Sequence, residues 1–181
     1  MSGITFLGYL ILSVYILCLL YITFYCLLQF HLLYLYRRGK KRGAGHKQPA
    51  ASEAFPFVTI QLPIFNEQYV VERLIDNIVQ LDYPRDRFEI HILDDSTDET
   101  VERSRKKAEQ YRGEGYQISV FHRTDREGYK AGALRDAMSY AQGDFIAIFD
   151  ADFMPRPDFL MRTLPHFADP KVGVVQTRWE H

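Results

Sequence analysis

Cysteine is nearly absent: among 181 residues only Cys18 and Cys26 carry a thiol, and both lie in the apolar N-terminal stretch. A disulfide framework and a cysteine-based zinc site are therefore excluded downstream, which fits a reducing compartment. Charge is missing from residues 1–36, which contain no Asp, Glu, Lys or Arg. The Walker A loop and the G-x-G-x-x-G turn are missing too, so the two commonest nucleotide fingerprints do not apply. Nor is there a basic surplus outside one short run. Residues 37–47 hold six of the 22 Lys and Arg and no acid, which leaves 16 basic against 23 acidic residues elsewhere, a balance near -7. A domain of that sign is a poor partner for nucleic acid, and none is expected. An anionic ligand would need a local cation.

What is present begins with an apolar run from Ile4 to Tyr36, broken only by scattered polar residues such as Ser13, Thr23, Gln29 and His31. As a helix it would reach roughly 50 Å at about 1.5 Å per residue, more than the ~30 Å hydrocarbon core requires. Residues 1–36 are read as one transmembrane helix, with membrane lipid as its surroundings. A cleavable signal fits poorly, because no positive charge precedes the run and no small-residue cleavage site comes after it. The basic residues Arg37, Arg38, Lys40, Lys41 and Arg42 come next, and by the positive-inside rule they put the C-terminal portion of the chain in the cytoplasm. Residues 37–54 are assigned as this basic juxtamembrane segment and a linker, and 55–181 as the folded domain.

Within that domain strand and helix patterns alternate. Strands are expected at 57–62, 88–93, 116–121 and 145–149, with a fifth beginning at 172–175. Helices are expected from Glu67 to Gln80, from a Ser96/Glu99 capping box to Arg112, over 130–142, and after Pro157. Four alternations argue for an α/β fold, a mostly parallel Rossmann-like sheet with helices on both faces, whose ligands collect at the carboxyl ends of the strands. The unusual polar residues fall at those ends: Asn66 and Glu67, Asp94 and Asp95, Arg126 to Lys130, Asp150 and Asp152. Each alone has an ordinary structural reading. Asn66 could cap a helix, Asp95 could sit at a helix dipole and Lys130 could be solvated. Together they make a site.

The apolar run Ile146 to Phe149 ends in Asp150 and Asp152, one residue apart. On an extended chain the two carboxylates point to one side and repel each other unless donors or a divalent cation intervene, and hard oxygen ligands suit Mg²⁺ or Mn²⁺. Lys130 in Gly128-Tyr129-Lys130-Ala131-Gly132 offers a cation beside a helix N-terminus. Acidic side chains at Asp94 and Asp95 suit donors on a base or ribose. The residues point to a metal-assisted nucleoside-diphosphate site beneath a membrane anchor.

From about Phe55 to Trp179 the sequence resembles family 2 glycosyltransferases of the GT-A fold, above all the cellulose-synthase-like group with β-mannan and glucomannan synthases. The resemblance is carried by Gln61 to Glu67, Leu93 to Asp98, Gly128 to Leu134, Phe149 to Phe153 and Val175 to Trp179. It implies that Phe65, Asn66, Glu67 and Asp94 line a nucleotide-sugar donor, UDP-glucose or GDP-mannose. Lys130 would lie near its diphosphate, and Asp150 and Asp152 would form the D-x-D motif with Asp152 the main metal ligand. The implied reaction is inverting transfer of a hexose to a growing β-linked polysaccharide or glycan acceptor. The family's general base, in a T-E-D-like segment, and its Q-x-x-R-W motif are expected beyond His181, so no catalytic base is assigned. Gln176-Thr177-Arg178-Trp179 lacks the spacing to be that motif. The expectation is of an N-terminal part of a GT-A domain, incomplete at its C-terminus, with more spans beyond it, binding a donor weakly and turning over nothing by itself.

Two enzyme alternatives and one without chemistry stand beside this. A dolichol-phosphate-type sugar transferase shares the motif order, although Gly128 to Leu134 and the preceding anchor fit the polysaccharide group better. A metal-dependent phosphotransferase or phosphatase also uses paired aspartates, usually after the first strand rather than the fourth. A membrane-tethered nucleotide-sugar-binding module would keep the sheet without the base.

Overall fold

A computed structural model describes residues 2–43 and 55–177. Most of the expected linker, residues 44–54, lies outside the described residues, as do Arg178, Trp179 and His181. The chain divides into two units, residues 1–47 and 48–181. The first is one helix, α1 (Ser2–Gly43), of 42 residues. Its stretch Thr5–Gly39 is long and apolar enough to cross a membrane. Apolar side chains face outward all round it, as on a helix whose surroundings are themselves apolar. The Thr23 hydroxyl donates to the Leu19 carbonyl at 2.8 Å, satisfying a polar group that lipid could not. The helix runs on past Tyr36 through the basic segment, because Lys and Arg are good helix formers and a lone Gly39 costs only about 1 kcal/mol.

The second unit is built on four parallel strands in the order β3-β2-β1-β4: β1 (Val58–Ile64), β2 (Phe88–Asp94), β3 (Ile118–His122) and β4 (Phe145–Ile148). Between them run α2 (Val71–Ile78), α3 (Thr100–Gly113) and α4 (Tyr129–Ala137), and α5 (Phe159–Thr163) comes after β4. Alternation assigns the faces. Val58, Ile60, Leu62 and Ile64 of β1 join Phe88, Ile90 and Ile92 of β2 in the main core, against Val71, Leu74, Ile75 and Ile78 of α2 and Ala108 of α3. Leu93 faces the other way and meets Ala133 and Ala137 of α4. Helices thus cover both faces, as the alternating pattern requires.

On that second face the central strands carry polar groups. Glu89 accepts from the Thr59 hydroxyl at 2.6 Å and the Gln142 N–H at 2.8 Å, and sits 3.2 Å from His91 Nε2. Gly143 N–H donates to the Thr59 hydroxyl at 2.9 Å. A Cβ on Gly143 would strike the Thr59 backbone nitrogen, so only glycine permits this approach.

Several elements differ from the sequence reading. β1 continues through Pro63, which lacks an N–H. Odd residues of β1 turn their backbone to β4, whose last pairing is Ile148 with Gln61, so Pro63 removes no ladder bond. α2 begins at Val71 rather than Glu67. Asn66 is left-handed (φ 54°), and the chain first makes turns in which the Glu67 carbonyl accepts from Val70 and Val71, each at 3.0 Å. The Ser96/Glu99 capping box does not form. Ser96 Oγ instead accepts the Asn66 N–H at 2.9 Å, and Asp98 accepts from Thr100 N–H at 3.0 Å as α3 starts. α4 ends at Ala137 and a 3₁₀ turn, Met138–Tyr140, takes over. The expected fifth strand at 172–175 is irregular, with Val174 exposed: three valines and a glycine make no strand without a partner to pair with.

Asp94 closes the β2–α3 connection. Fully buried, it accepts the Ser96 N–H at 2.9 Å through Oδ1 and the Ser104 hydroxyl at 2.7 Å through Oδ2. Ser104→Ala leaves one buried carboxylate oxygen short of its donor. It should lower stability by about 1–3 kcal/mol, read as a lower midpoint in urea unfolding followed by circular dichroism.

Candidate functional site

β1 pairs with β2 on one edge and β4 on the other, so the strand order β3-β2-β1-β4 reverses between β1 and β4. Such a switch point leaves a crevice above the sheet. Here it is a cavity of about 400 Å³ bordered by Pro63, Ile64, Phe65, Glu67, Leu93, Asp95, Arg126, Lys130, Ala133, Asp150, Ala151 and Asp152.

Asp150 and Asp152 reach it from the end of β4. They are not on an extended strand as the D-x-D spacing suggests. β4 stops at Ile148, and a turn closed by the Phe153 N–H on the Asp150 carbonyl (2.9 Å) carries both. Phe149 and Ala151 are buried and anchor that turn, which leaves both carboxylates at the cavity. Lys130, in the first turn of α4, forms an ion pair with Asp150, both side chains about half exposed. An exposed pair is worth about 0–1 kcal/mol, so it can be exchanged for other partners.

Lys130 is presented by an unusual backbone. Gly128 and Tyr129 have φ of 71° and 50°, and Gly132 N–H bonds the Gly128 carbonyl at 2.9 Å. A Cβ on Gly132 would fall inside the Glu127 carbonyl oxygen, so the Gly-x-x-x-Gly spacing of Gly128 and Gly132 serves close approach of the loop to α4.

On the opposite wall Asp95 is buried and gripped by Arg123, whose Nε and Nη2 donate to its two oxygens at 2.9 and 2.7 Å. The same guanidinium donates to Asp136 Oδ2 at 2.9 Å and to the Tyr129 carbonyl at 3.0 Å. Hydrogen bonding to Asp95, ahead of that to Asp136, raises the Arg123 pKa even against its desolvation. The Arg123 bond, and then the Arg135 bond, holds the Asp136 carboxyl below its ordinary value.

Arg126 lies over the Phe65 ring, 3.3 Å from the guanidinium carbon to the centroid, and its buried Nε–H finds no acceptor among the described residues. The cavity therefore sets Glu67, Asp95, Asp150 and Asp152 against Arg126 and Lys130.

Of the residues singled out from sequence, Phe65, Glu67, Asp95, Lys130, Asp150 and Asp152 border one cavity. Asn66 and Asp94 do not. The Asn66 side-chain oxygen accepts the Thr97 N–H at 2.9 Å, tying the β1 loop to the β2 loop, and Asp94 turns toward Ser104 of α3. The parity of β2 could have told the two aspartates apart, since even residues face the main core. Arg123 escapes a reading of the sequence. The rung Asp94–His122 pairs β2 with β3, so the next step sets Asp95 beside Arg123. Among the described residues no group of three or more His, Cys, Asp and Glu side chains forms a complete cage for a metal ion.

Comparison with known proteins extends this. Over 136 residues the chain is 44% identical to the probable glucomannan 4-beta-mannosyltransferase 6 of Oryza sativa subsp. japonica, an alignment covering 72% of this chain and 24% of that protein. It is 44% identical over 134 residues to glucomannan 4-beta-mannosyltransferase 7 of Arabidopsis thaliana, covering 71% and 24%. The chain thus spans about a quarter of the length of these relatives. Among solved structures it resembles the mannosyltransferase PcManGT from Pyrobaculum calidifontis, in complex with GDP-Man and Mn²⁺. The TM-score is 0.66 at 36% identity, over 78% of this chain and 41% of that one. A likeness in fold alone extends to S. aureus TarS 1-349, with a TM-score of 0.51 at 24% identity over 57% and 30%. The parallel sheet and its switch-point cavity are those of a GT-A fold. The model of the glycosyl transferase family 2 matches residues 59–181, from β1 to the last residue, and the chain belongs to that family.

Proposed function

We propose that this cavity is the donor site of a membrane-anchored, inverting hexosyltransferase that moves a sugar from a nucleotide sugar to a growing β-linked polysaccharide. The observation that carries this reading is the convergence of Lys130, Asp150, Asp152 and Asp95 on one cavity at the switch point. GDP-mannose is favoured over UDP-glucose, because the plant relatives are named mannosyltransferases and PcManGT was solved with GDP-Man.

The donor set fits Mg²⁺ or Mn²⁺. Two exposed carboxylates on a short turn, Asp150 and Asp152, supply hard oxygens without closing a cage, and such ions are held by one or two carboxylates with the remaining positions left to phosphate oxygens and water. When bound there, the ion would neutralise charge on the departing diphosphate. Lys130 exchanges Asp150 for a phosphate oxygen as the donor enters, which releases the carboxylate for its second role. Asp95, buried and acceptor-only, takes N–H donors of the base. The acceptor hydroxyl needs a general base, for which we look to the part of the relatives that this chain does not span. The apolar stretch of α1 crosses the bilayer, and Arg37, Arg38, Lys40, Lys41 and Arg42 hold the sheet unit on the cytoplasmic side.

Calorimetric titration of the detergent-solubilised protein with GDP-mannose and UDP-glucose, with and without Mn²⁺, tests the reading. Mn²⁺-dependent binding of GDP-mannose is expected, weakened at least roughly tenfold, about 1.4 kcal/mol, in Asp152→Ala. A folded protein that binds neither donor in Mn²⁺ would refute it. Gly132→Ala pushes the Glu127 carbonyl away and displaces Lys130. In the same titration it should also weaken the donor by about tenfold or more.

A further inference from the structure

We propose that Arg123 is a positioning residue for the donor: it locks Asp95 into the one orientation in which that carboxylate can read the nucleobase. The proposal rests on the donor-site reading of the cavity. Asp95 sits at the end of a fully buried strand with its side chain 5% exposed, beside a cavity. Left alone, a buried carboxylate there would be free to rotate. Arg123 prevents this, because a planar fork donating to both oxygens fixes the plane of the carboxylate.

A carboxylate offers about four lone-pair sites, and the fork uses one on each oxygen. One acceptor site per oxygen remains for a ring N–H, such as N1–H of guanine or N3–H of uracil. The fork is in turn held from behind by Asp136 and capped by the Tyr129 carbonyl, so the guanidinium has little freedom of its own. Lysine cannot substitute, since one ammonium cannot span both oxygens in a fixed plane. The loop that presents Lys130 does not depend on Arg123 alone. Tyr129 N–H bonds the Arg126 carbonyl at 2.8 Å and Glu127 N–H bonds Asp125 at 3.1 Å. The effect of Arg123 should therefore appear in recognition of the base and not of the diphosphate.

The test compares GDP and UDP with inorganic pyrophosphate, each with Mn²⁺, on the detergent-solubilised protein. The variants are Arg123→Lys, Asp95→Asn and the double variant, each checked by circular dichroism, with Arg123→Gln in reserve if the lysine variant does not fold. In Arg123→Lys the preferred nucleotide should bind roughly tenfold more weakly while pyrophosphate changes by less than about threefold, and the double variant should bind no more weakly than Asp95→Asn. Nucleotide binding at the wild-type level in Arg123→Lys would overturn the assignment. So would an equal loss of pyrophosphate, which marks a merely structural role, or losses that add in the double variant. If the wild-type protein binds pyrophosphate but neither nucleotide, or nothing at all, the donor-site reading falls first and this one with it.

Discussion

The rim depends on β1 being hydrogen-bonded along both edges. With β2 on one side and β4 on the other, its seven residues hold the two halves of the sheet in register, and the loops after β1, β2 and β4 are thereby brought to one end. The burial of Ile60, Leu62, Ile90 and Ile92 drives that pairing, each contributing on the order of 1.5–3 kcal/mol relative to exposure. Chemistry sits where the strands stop because there the backbone is free to turn while its base stays fixed.

Two kinds of carboxylate result. Asp94 and Glu89 are consumed by the fold, with their oxygens taken by hydroxyls and amides. Asp150 and Asp152 are held outward by the burial of their apolar neighbours, Phe149 and Ala151. Asp95 stands between these extremes, buried yet beside the cavity, with an arginine bonded to both its oxygens. What separates the three cases is where each carboxylate sits and which donors its neighbours bring to it, not the residue type.

That distinction marks how far sequence reading goes here. The parallel sheet, its helices on both faces, the long apolar helix, and the cluster formed by Lys130, Asp150 and Asp152 are legible, because periodicity and strand-end position encode them directly. Ser96 reads as a helix cap because a local motif cannot reveal that its hydroxyl is claimed by Asn66, thirty residues earlier. Arg123 carries no local signal at all; only the β2–β3 register brings it to Asp95. Val172 to Val175 has a strand's composition without a strand's partner, and no composition can supply one.

The polar network on the second face of the sheet has a consequence for folding. Parallel strands rich in Ile and Val could pair in several offsets with similar hydrophobic gain. Sliding β2 by one residue against β1 would turn Glu89 and His91 into the apolar layer under α2, away from Thr59 and the Gln142 amide. Stranding a buried carboxyl away from its donors in that way costs about 1–3 kcal/mol or more, a sizeable fraction of the roughly 5–15 kcal/mol that holds a domain folded. Glu89 thus acts as an address label: its donors are met in the correct pairing and lost in the neighbouring wrong ones.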